Sequence, residues 1–396
     1  MFSITKSKKV TLIIFSVLIL ALLLCVFFYF QDIFLDSNKV LKKSYHMQID
    51  WFIENQSEEG IFPYIIKSSN GQASFKSVNA SDSATVREIL ALHSLSRAYT
   101  KENQNTRLKE VIEKGISYYK PYLIREEKEY QGEKIYTQRI AYQHEDYHNS
   151  TAFFLLALLE FVKGEPTEEK EYQNLIYELG NYLITTQLPS GGFSYRPNDE
   201  KENSYNNGET LYALTKLSAY SRNKRYQIPS EQAAGYFSQT YSQYNNGFYI
   251  WGMYSFHELY QLTQKKEYWD FMKDQTNQYL TLQGERTETY FESGIAPAPS
   301  LDAIVATEGI LQTAILAKKL KEESYYKRLK KLTHSTLLYA VSYQINGPYN
   351  DYNSVYPSLT GSICLDPLCQ STRVDMTAHV ISSFYNYFEL DNVSEY

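Results

Sequence analysis

Gln187-Leu-Pro-Ser-Gly-Gly-Phe-Ser-Tyr195 ends one helix-like stretch and leads into another. The same phrase returns as Gln56-Ser-Glu-Glu-Gly-Ile-Phe-Pro-Tyr64, as Gln243-Tyr-Asn-Asn-Gly-Phe-Tyr249 and, more loosely, as Gln344-Ile-Asn-Gly-Pro-Tyr349. A fifth copy at Gln283 keeps the glutamine and a late Tyr290-Phe291 pair, with its glycine at Gly284. Recurrence of this kind marks an array of similar supersecondary units. The phrase punctuates the chain: it closes one helix and turns toward the next.

Working outward from these turns, apolar residues recur at helical spacing almost throughout, and no convincing run of period-two alternation appears. In 107–124, Leu108, Val111, Ile112 and Ile116 form one stripe opposite Lys and Glu. About twelve helices are expected. A charge-rich amphipathic set covers 40–56, 107–124, 168–187, 230–243, 266–282 and 323–344. All but the second lead into a phrase; that one runs into a Tyr-rich loop near Tyr130 and Tyr136. A more apolar set covers 83–99, 149–163, 206–221, 250–263, 303–320 and 373–389. The run from Thr151 to Val162 is apolar nearly all round and too short to span a bilayer, so it reads as a helix buried on both sides. Strict alternation of half-exposed and doubly buried helices, in six pairs, predicts an all-α (α/α)6 toroid. An open α-solenoid competes, but the unequal loops argue against it.

The N-terminus carries a different signal. Lys6, Lys8 and Lys9 precede an uncharged run from Val10 to Phe30. About 21 residues at 1.5 Å each span a hydrocarbon core of roughly 30 Å. The expected organisation is a cytoplasmic basic tail (1–9), one transmembrane signal anchor (10–30), a linker (31–39) and the toroid (40–396) outside the cytoplasm, in the periplasm or at the cell surface. A cleaved signal peptide fits less well, because the run is long and ends without small residues. Cys364 and Cys369 are close in sequence and an oxidising compartment permits a disulfide between them. The net charge of −6, without a basic stripe, argues against nucleic acid. The chain holds 38 tyrosines. Such rings suit a carbohydrate-facing surface; a compositional bias of the genome explains them equally well.

The alternating helices and the Gln187-to-Phe193 phrase together resemble the six-hairpin α/α-toroid class. That class includes glycan-processing enzymes, terpene cyclase and prenyltransferase toroids, and lanthionine-synthetase-like proteins. The phrase itself is similar to the Gln/Trp repeats of terpene cyclases. The resemblance implies a fold, over roughly 40–390, and a cavity where the N-termini of the inner helices converge; it does not transfer a reaction.

Each apolar helix opens with polar residues. Asp82, Arg87 and Glu88 open the first, and His144, Glu145, Asp146 and His148 the second. Asn206, Asn207 and Glu209 open the third, and Trp251, Tyr254 and His257 the fourth. Glu308 lies in the fifth, and Arg373, Asp375 and His379 open the sixth. Capping explains acids and amides at helix starts. Glu88, Glu209, Glu308 and His379 sit deeper, where a charge is costly unless it is paired or used. Acids around one cavity point to paired-carboxylate glycoside hydrolysis. The acid and base candidates are Glu88, Asp146, Glu209, Glu308 and Asp375, with His148 and His379. The sugar-contact candidates are Asp82, Arg87, Asn206, Asn207, Trp251, Tyr254, His257 and Arg373. A lyase or uronyl epimerase using His and Tyr, and a non-catalytic glycan- or protein-binding module, are the alternatives. The expected partners are a polysaccharide or oligosaccharide, the membrane and envelope-assembly proteins.

His144-Glu-Asp-Tyr-His148 matches H-E-x-x-H, a zinc pattern in which two His bind metal and Glu polarises water. Asp146 inside the motif and the lack of a clear third ligand argue against zinc, so no cofactor is expected. A terpene-cyclase reading lacks its aspartate-rich motif, since 373–376 supplies Asp375 alone. No Gly-rich phosphate loop and no serine nucleophile elbow is present.

Overall fold

The computed structural model describes residues 37–69, 72–76, 84–102, 105–142, 146–283, 301–349, 357–365 and 371–392. Twelve helices appear among them. The outer set is α1 (37–55), α3 (Thr106–Tyr119), α5 (Glu169–Ile184), α7 (Lys224–Thr240), α9 (Lys266–Gln283) and α11 (Glu323–Ser342). The inner set is α2 (Ala84–Tyr99), α4 (His148–Gly164), α6 (Ser204–Ser221), α8 (Asn246–Thr263), α10 (Leu301–Lys319) and α12 (Val374–Asn392). Each inner helix packs on the next, and α12 packs back on α2, so the inner ring closes. The open-solenoid alternative is thereby excluded.

Burial follows the sequence pattern. From His148 to Val162, every residue of α4 is buried, because an inner helix touches protein on all sides. Outer α3 buries only Leu108, Val111, Ile112, Gly115, Ile116 and Tyr119, the stripe that faces inward. All inner helices run one way. Their N-terminal ends line one opening of the ring, the near mouth; their C-terminal ends line the other, the far mouth.

The glutamine of the phrase has a structural task. Gln56 Nε2 donates to its own turn at Gly60 O (3.0 Å) and to Val111 O in α3 (2.9 Å). Gln187 Nε2 donates to Gly191 O (3.2 Å) and to Pro229 O in α7 (3.0 Å). Gln344 Nε2 donates to Gly361 O and to Ser44 O in α1, both at 2.9 Å. One amide thus stitches a turn to the following outer helix, and Gln344 carries the stitch across the junction between chain ends. Gln344→Leu removes both buried bonds, to the Gly361 carbonyl and to the Ser44 carbonyl, which keeps its intrahelical donor. The expected loss is about 1–3 kcal/mol, read from denaturant unfolding; an unchanged midpoint would remove the stitch from the stability argument.

Four expectations are corrected. Helix α7 begins at Lys224, ahead of Pro229, because Asn223 caps it by accepting from Arg225 N, and the early proline is tolerated. Helix α1 is already helical at residue 37, within the expected linker. The helix expected over 107–124 ends at Tyr119, followed by a 3-10 turn holding Pro121.

The fourth correction is a hairpin in place of the Tyr-rich loop: β3 (Leu123–Tyr130) pairs antiparallel with β4 (Glu133–Ile140). Its turn, Gln131 (φ 52°) and Gly132 (φ 80°), has the two positive φ values of a type I′ turn. The run Arg125 to Glu129 is charged on both faces, so no alternation marks β3. The hairpin is instead held by its ladder and by β4 packing on α5. A second sheet orders β2 (Gln72–Lys76), β1 (Ile65–Ser69) and β5 (Ser371–Arg373), and leads the chain into α12.

Among the described residues no helix is long and apolar enough to cross a membrane; the expected anchor, 10–30, lies outside them. Cys364 is disulfide-bonded, and Cys369 also lies outside the described residues.

Candidate functional site

A cavity of about 270 Å³ opens at the near mouth, where sequence reasoning expects it. It brings together Arg87 of α2, Glu209 of α6, Trp251 of α8, and Arg373, Asp375 and His379 at the start of the sixth pair. Gly208 sets one wall. A Cβ there would lie 2.9 Å from Trp251 Cβ and 3.2 Å from Phe248 O, so its absence lets α8 come close to α6 beside Glu209.

Glu209 is 5% exposed. Burial is the largest influence on it and raises its pKa to about 7, against the weaker pull of an Asn149 hydrogen bond and the charges of His379 and Arg87. Its Oε2 has no hydrogen-bond partner, and neither does Asn149 Oδ1 on the same wall. A carboxyl of this kind carries a proton near neutrality and has an oxygen free to donate it.

Asp375 has a different setting. Its Oδ2 is 3.2 Å from Arg87 Nε and its Oδ1 2.6 Å from Arg373 Nε. Arg87 also donates to the Tyr64 hydroxyl and lies over that ring, 5.1 Å from its centroid.

Beneath the cavity, His379 Nδ1 donates to Glu308 Oε1 at 2.5 Å. The Tyr254 hydroxyl donates to Glu308 Oε2 at 2.7 Å, and accepts from Arg97 (2.8 Å) and from Asn386 Nδ2 (2.6 Å). Glu308 is fully buried, and this chain fixes the His379 ring with Nδ1 as donor. Tyr254 and Trp251 stack at 5.8 Å and, with Tyr212, fill the barrel axis.

The other expected residues lie elsewhere. Glu88 accepts from the Tyr119 hydroxyl (3.1 Å) and lines a separate outer groove with Gln56 and Phe62. Asp146 pairs with Arg139 of the hairpin. His148 is buried behind the Gln187 turn, its Nδ1 bonded to Ser194 O at 2.7 Å; burial lowers its pKa to about 4, so it is neutral. Asn206 donates to Ser194 O (2.9 Å). Asn207 accepts from Phe193 N (2.9 Å) and donates to Glu202, so both asparagines hold the turn. His257 is at the far mouth, bonded to Gln312 (2.6 Å) and Gln261 (3.0 Å). Asp82, His144 and Glu145 lie outside the described residues. Among the described residues no three His, Cys, Asp or Glu gather as a metal ion requires.

Asn149, which capping alone would explain in the sequence, is part of the wall, and so are three residues that sequence reasoning did not single out: Phe153, Tyr195 and Tyr205. Tyr195 is the last residue of the Gln187 phrase and packs on Tyr147 at 4.8 Å. Tyr64, which ends the Gln56 phrase, meets Arg87. The closing tyrosine of these two copies therefore reaches the site, and its fixed place in the phrase was the available signal. In the third copy Tyr249 is buried instead, stacked on Tyr279 at 5.4 Å.

A larger cavity, about 520 Å³, lies at the far mouth. Its acids are matched by cations: Glu160 by Lys216 (2.9 Å), Glu258 by Lys216 (3.2 Å) and Glu389 by Lys101 (2.7 Å). The near-mouth cavity is the better candidate despite its size, because burial raises its carboxyl, Glu209, to about 7, whereas Lys216 holds the far-mouth Glu160 ionised.

Solved structures repeat this architecture over nearly their whole length. The α-1,6-mannanase GH76A of Salegentibacter sp. HEL1_6 superposes with a TM-score of 0.60 at 12% identity, covering 89% of this chain and 99% of that one. The unsaturated glucuronyl hydrolase of Bacillus sp. GL1 gives 0.60 at 10%, covering 87% and 96%. An unsaturated glucuronyl hydrolase specific for heparin gives 0.59 at 11%, covering 90% and 99%. The chain is a six-hairpin (α/α)6 toroid. No protein-family model matches the sequence, and no curated protein matches it. At these identities the likeness concerns the fold. An inactive variant of the mannanase, solved with α-1,6-mannotriose, carries Asn at two consecutive aspartates. This toroid has no two consecutive aspartates in its sequence.

Proposed function

We propose that the toroid is a membrane-anchored, extracytoplasmic enzyme that hydrolyses a glycosidic bond of an envelope or exported polysaccharide in the near-mouth cavity. The observation that carries this reading is Glu209: a buried carboxyl with its pKa raised to about 7 and one oxygen unpartnered, on the wall of a cavity that also holds Asp375. Glu209 donates its proton to the leaving oxygen, and Asp375 acts on the opposite side of the sugar, on water or on the anomeric carbon. Trp251 and Tyr195 offer rings to sugar faces. Arg87 and Arg373 favour an acidic or hydroxyl-rich sugar. The toroid likeness to glycan-acting enzymes supports this reading at the level of fold.

The Glu308–His379 pair favours a second reading. With Nδ1 donating to Glu308, Nε2 is the ring nitrogen of His379 left to remove the proton next to a uronic carboxylate, as a lyase or epimerase does. One experiment separates the two. The full-length protein in detergent is incubated with acidic and neutral polysaccharides and the products are weighed. Hydrolysis adds the mass of water; elimination adds none and leaves a double bond; epimerisation leaves the mass unchanged. Saturable binding without turnover would replace both readings with a binding module.

A further inference from the structure

The direction in which α1 enters the toroid fixes how the molecule sits on a bilayer. We propose that the toroid stands on the membrane by its far mouth, so that the near-mouth cavity opens away from the lipid. This rests on the reading of residues 10–30 as an anchor.

The first turns of α1 lie beside the C-terminal ends of inner helices. Ser37 Oγ is 3.2 Å from His334 Nε2, and His334 Nδ1 is 2.7 Å from the Tyr387 hydroxyl, near the end of α12. Tyr45 packs on Phe388 at 5.7 Å. His46 pairs at 3.4 Å with Glu102, just past the end of α2. The described chain therefore begins at the far mouth.

Six residues, 31–36, separate the apolar run from residue 37. Fully extended they reach about 22 Å at most. Inner helices of 16 to 19 residues make the ring about 24–28 Å tall, before the near-mouth turns and strands are added. With the near mouth on the lipid, residue 37 would stand farther from the bilayer than the linker reaches.

Charge at the far mouth fits the same orientation. Lys39, Lys42 and Lys43 on the first turns of α1, Lys321 just ahead of α11 and Lys331 near the middle of α11 are exposed. No ion pair engages these five among the described residues. The neighbouring acids are already paired: Glu389 with Lys101, Asp391 with Lys330 and Glu323 with Lys327. The surplus is positive in a chain whose net charge is −6. Anionic headgroups attract such lysines near the surface.

The test uses the full-length protein carrying Cys25→Ser, reconstituted in vesicles of phosphatidylglycerol and phosphatidylcholine with acceptor-labelled headgroups. A donor is placed at Lys327→Cys, at the start of α11, or at Glu58→Cys, in the turn that follows α1. The two differ in height by about 20 Å, so transfer from position 327 should exceed that from 58 by about twofold or more. Equal or reversed transfer from protein that resists carbonate extraction would overturn the orientation and leave the anchor standing. Release by carbonate would overturn the anchor and the orientation with it. Replacing Lys39, Lys42 and Lys43 by Gln should lower transfer from 327 in anionic vesicles toward its value in pure phosphatidylcholine. No change would remove the lysines from the contact.

Discussion

Glu209→Gln is expected to lower kcat by about 10²–10⁴-fold, the usual worth of a positioned general acid. The substitution keeps the size of the side chain and removes the proton donor. It also reports on stability. The Glu209 pKa is raised from 4.5 to about 7 in the fold, chiefly by burial. Below pH 4.5 both folded and unfolded chains hold the proton, and the group costs nothing. Between 4.5 and 7 the unfolded chain releases it first, so stability falls as pH rises; above 7 the full cost is present. A difference of about 2.5 units at 1.36 kcal/mol each makes that cost about 3 kcal/mol. The Gln variant lacks it, so it should equal the parent at pH 4 and be more stable at pH 8. Activity of the parent should fall above pH 7 as the acid is lost. Retained turnover in the variant would end the assignment of Glu209, whatever the melting curves show.

The largest stability effect belongs to the opposite end of the barrel. Glu160 is fully buried at the far mouth. Burial alone would raise its pKa, but the charges of Lys216, Lys163 and Arg97 outweigh burial and hold it well below the usual carboxylate range. Lys216 is the close partner, 2.9 Å from Glu160 and 3.2 Å from Glu258. Lys216→Met leaves a buried carboxylate with its main partner gone, and the expected loss is about 3–5 kcal/mol. Adding Glu160→Gln should recover much of it, because the stranded charge is what costs. The pair's stabilisation is present above the unfolded carboxylate pKa, near 4.5, and is lost as pH falls; the double variant should lose that acid-side slope. Denaturant midpoints from pH 3 to pH 8 measure both effects. A single variant as stable as the parent would show that water already screens the pair.

Helix order and pairing were legible in the sequence because they depend on a local quantity, the angular spread of apolar side chains. The run from Thr151 to Val162 has no polar face, so it had to be surrounded; the segment with Leu108 and Ile112 has one, so it had to lie outside. The β3–β4 hairpin was not legible, since Arg125 to Glu129 is polar on both faces and its pairing is stated only by the ladder. Among candidate residues, Glu209, Asp375, Arg87 and Arg373 share the near mouth, whereas Glu88, His148 and Asp146 do not. All seven follow one sequence rule, a polar residue near the start of an inner helix. Which way each side chain points depends on the rotation of its helix against two neighbours, as Gly208 against Trp251 illustrates.

Sequence by itself determined the twelve helices, their alternation and the turns that separate them, because periodicity and turn chemistry act over a few residues. The tertiary structure decided which carboxyl is buried with one oxygen unpartnered, which is clamped between two arginines, and at which mouth the chain enters. Those are properties of distance across the ring, set by close packing between helices far apart in sequence.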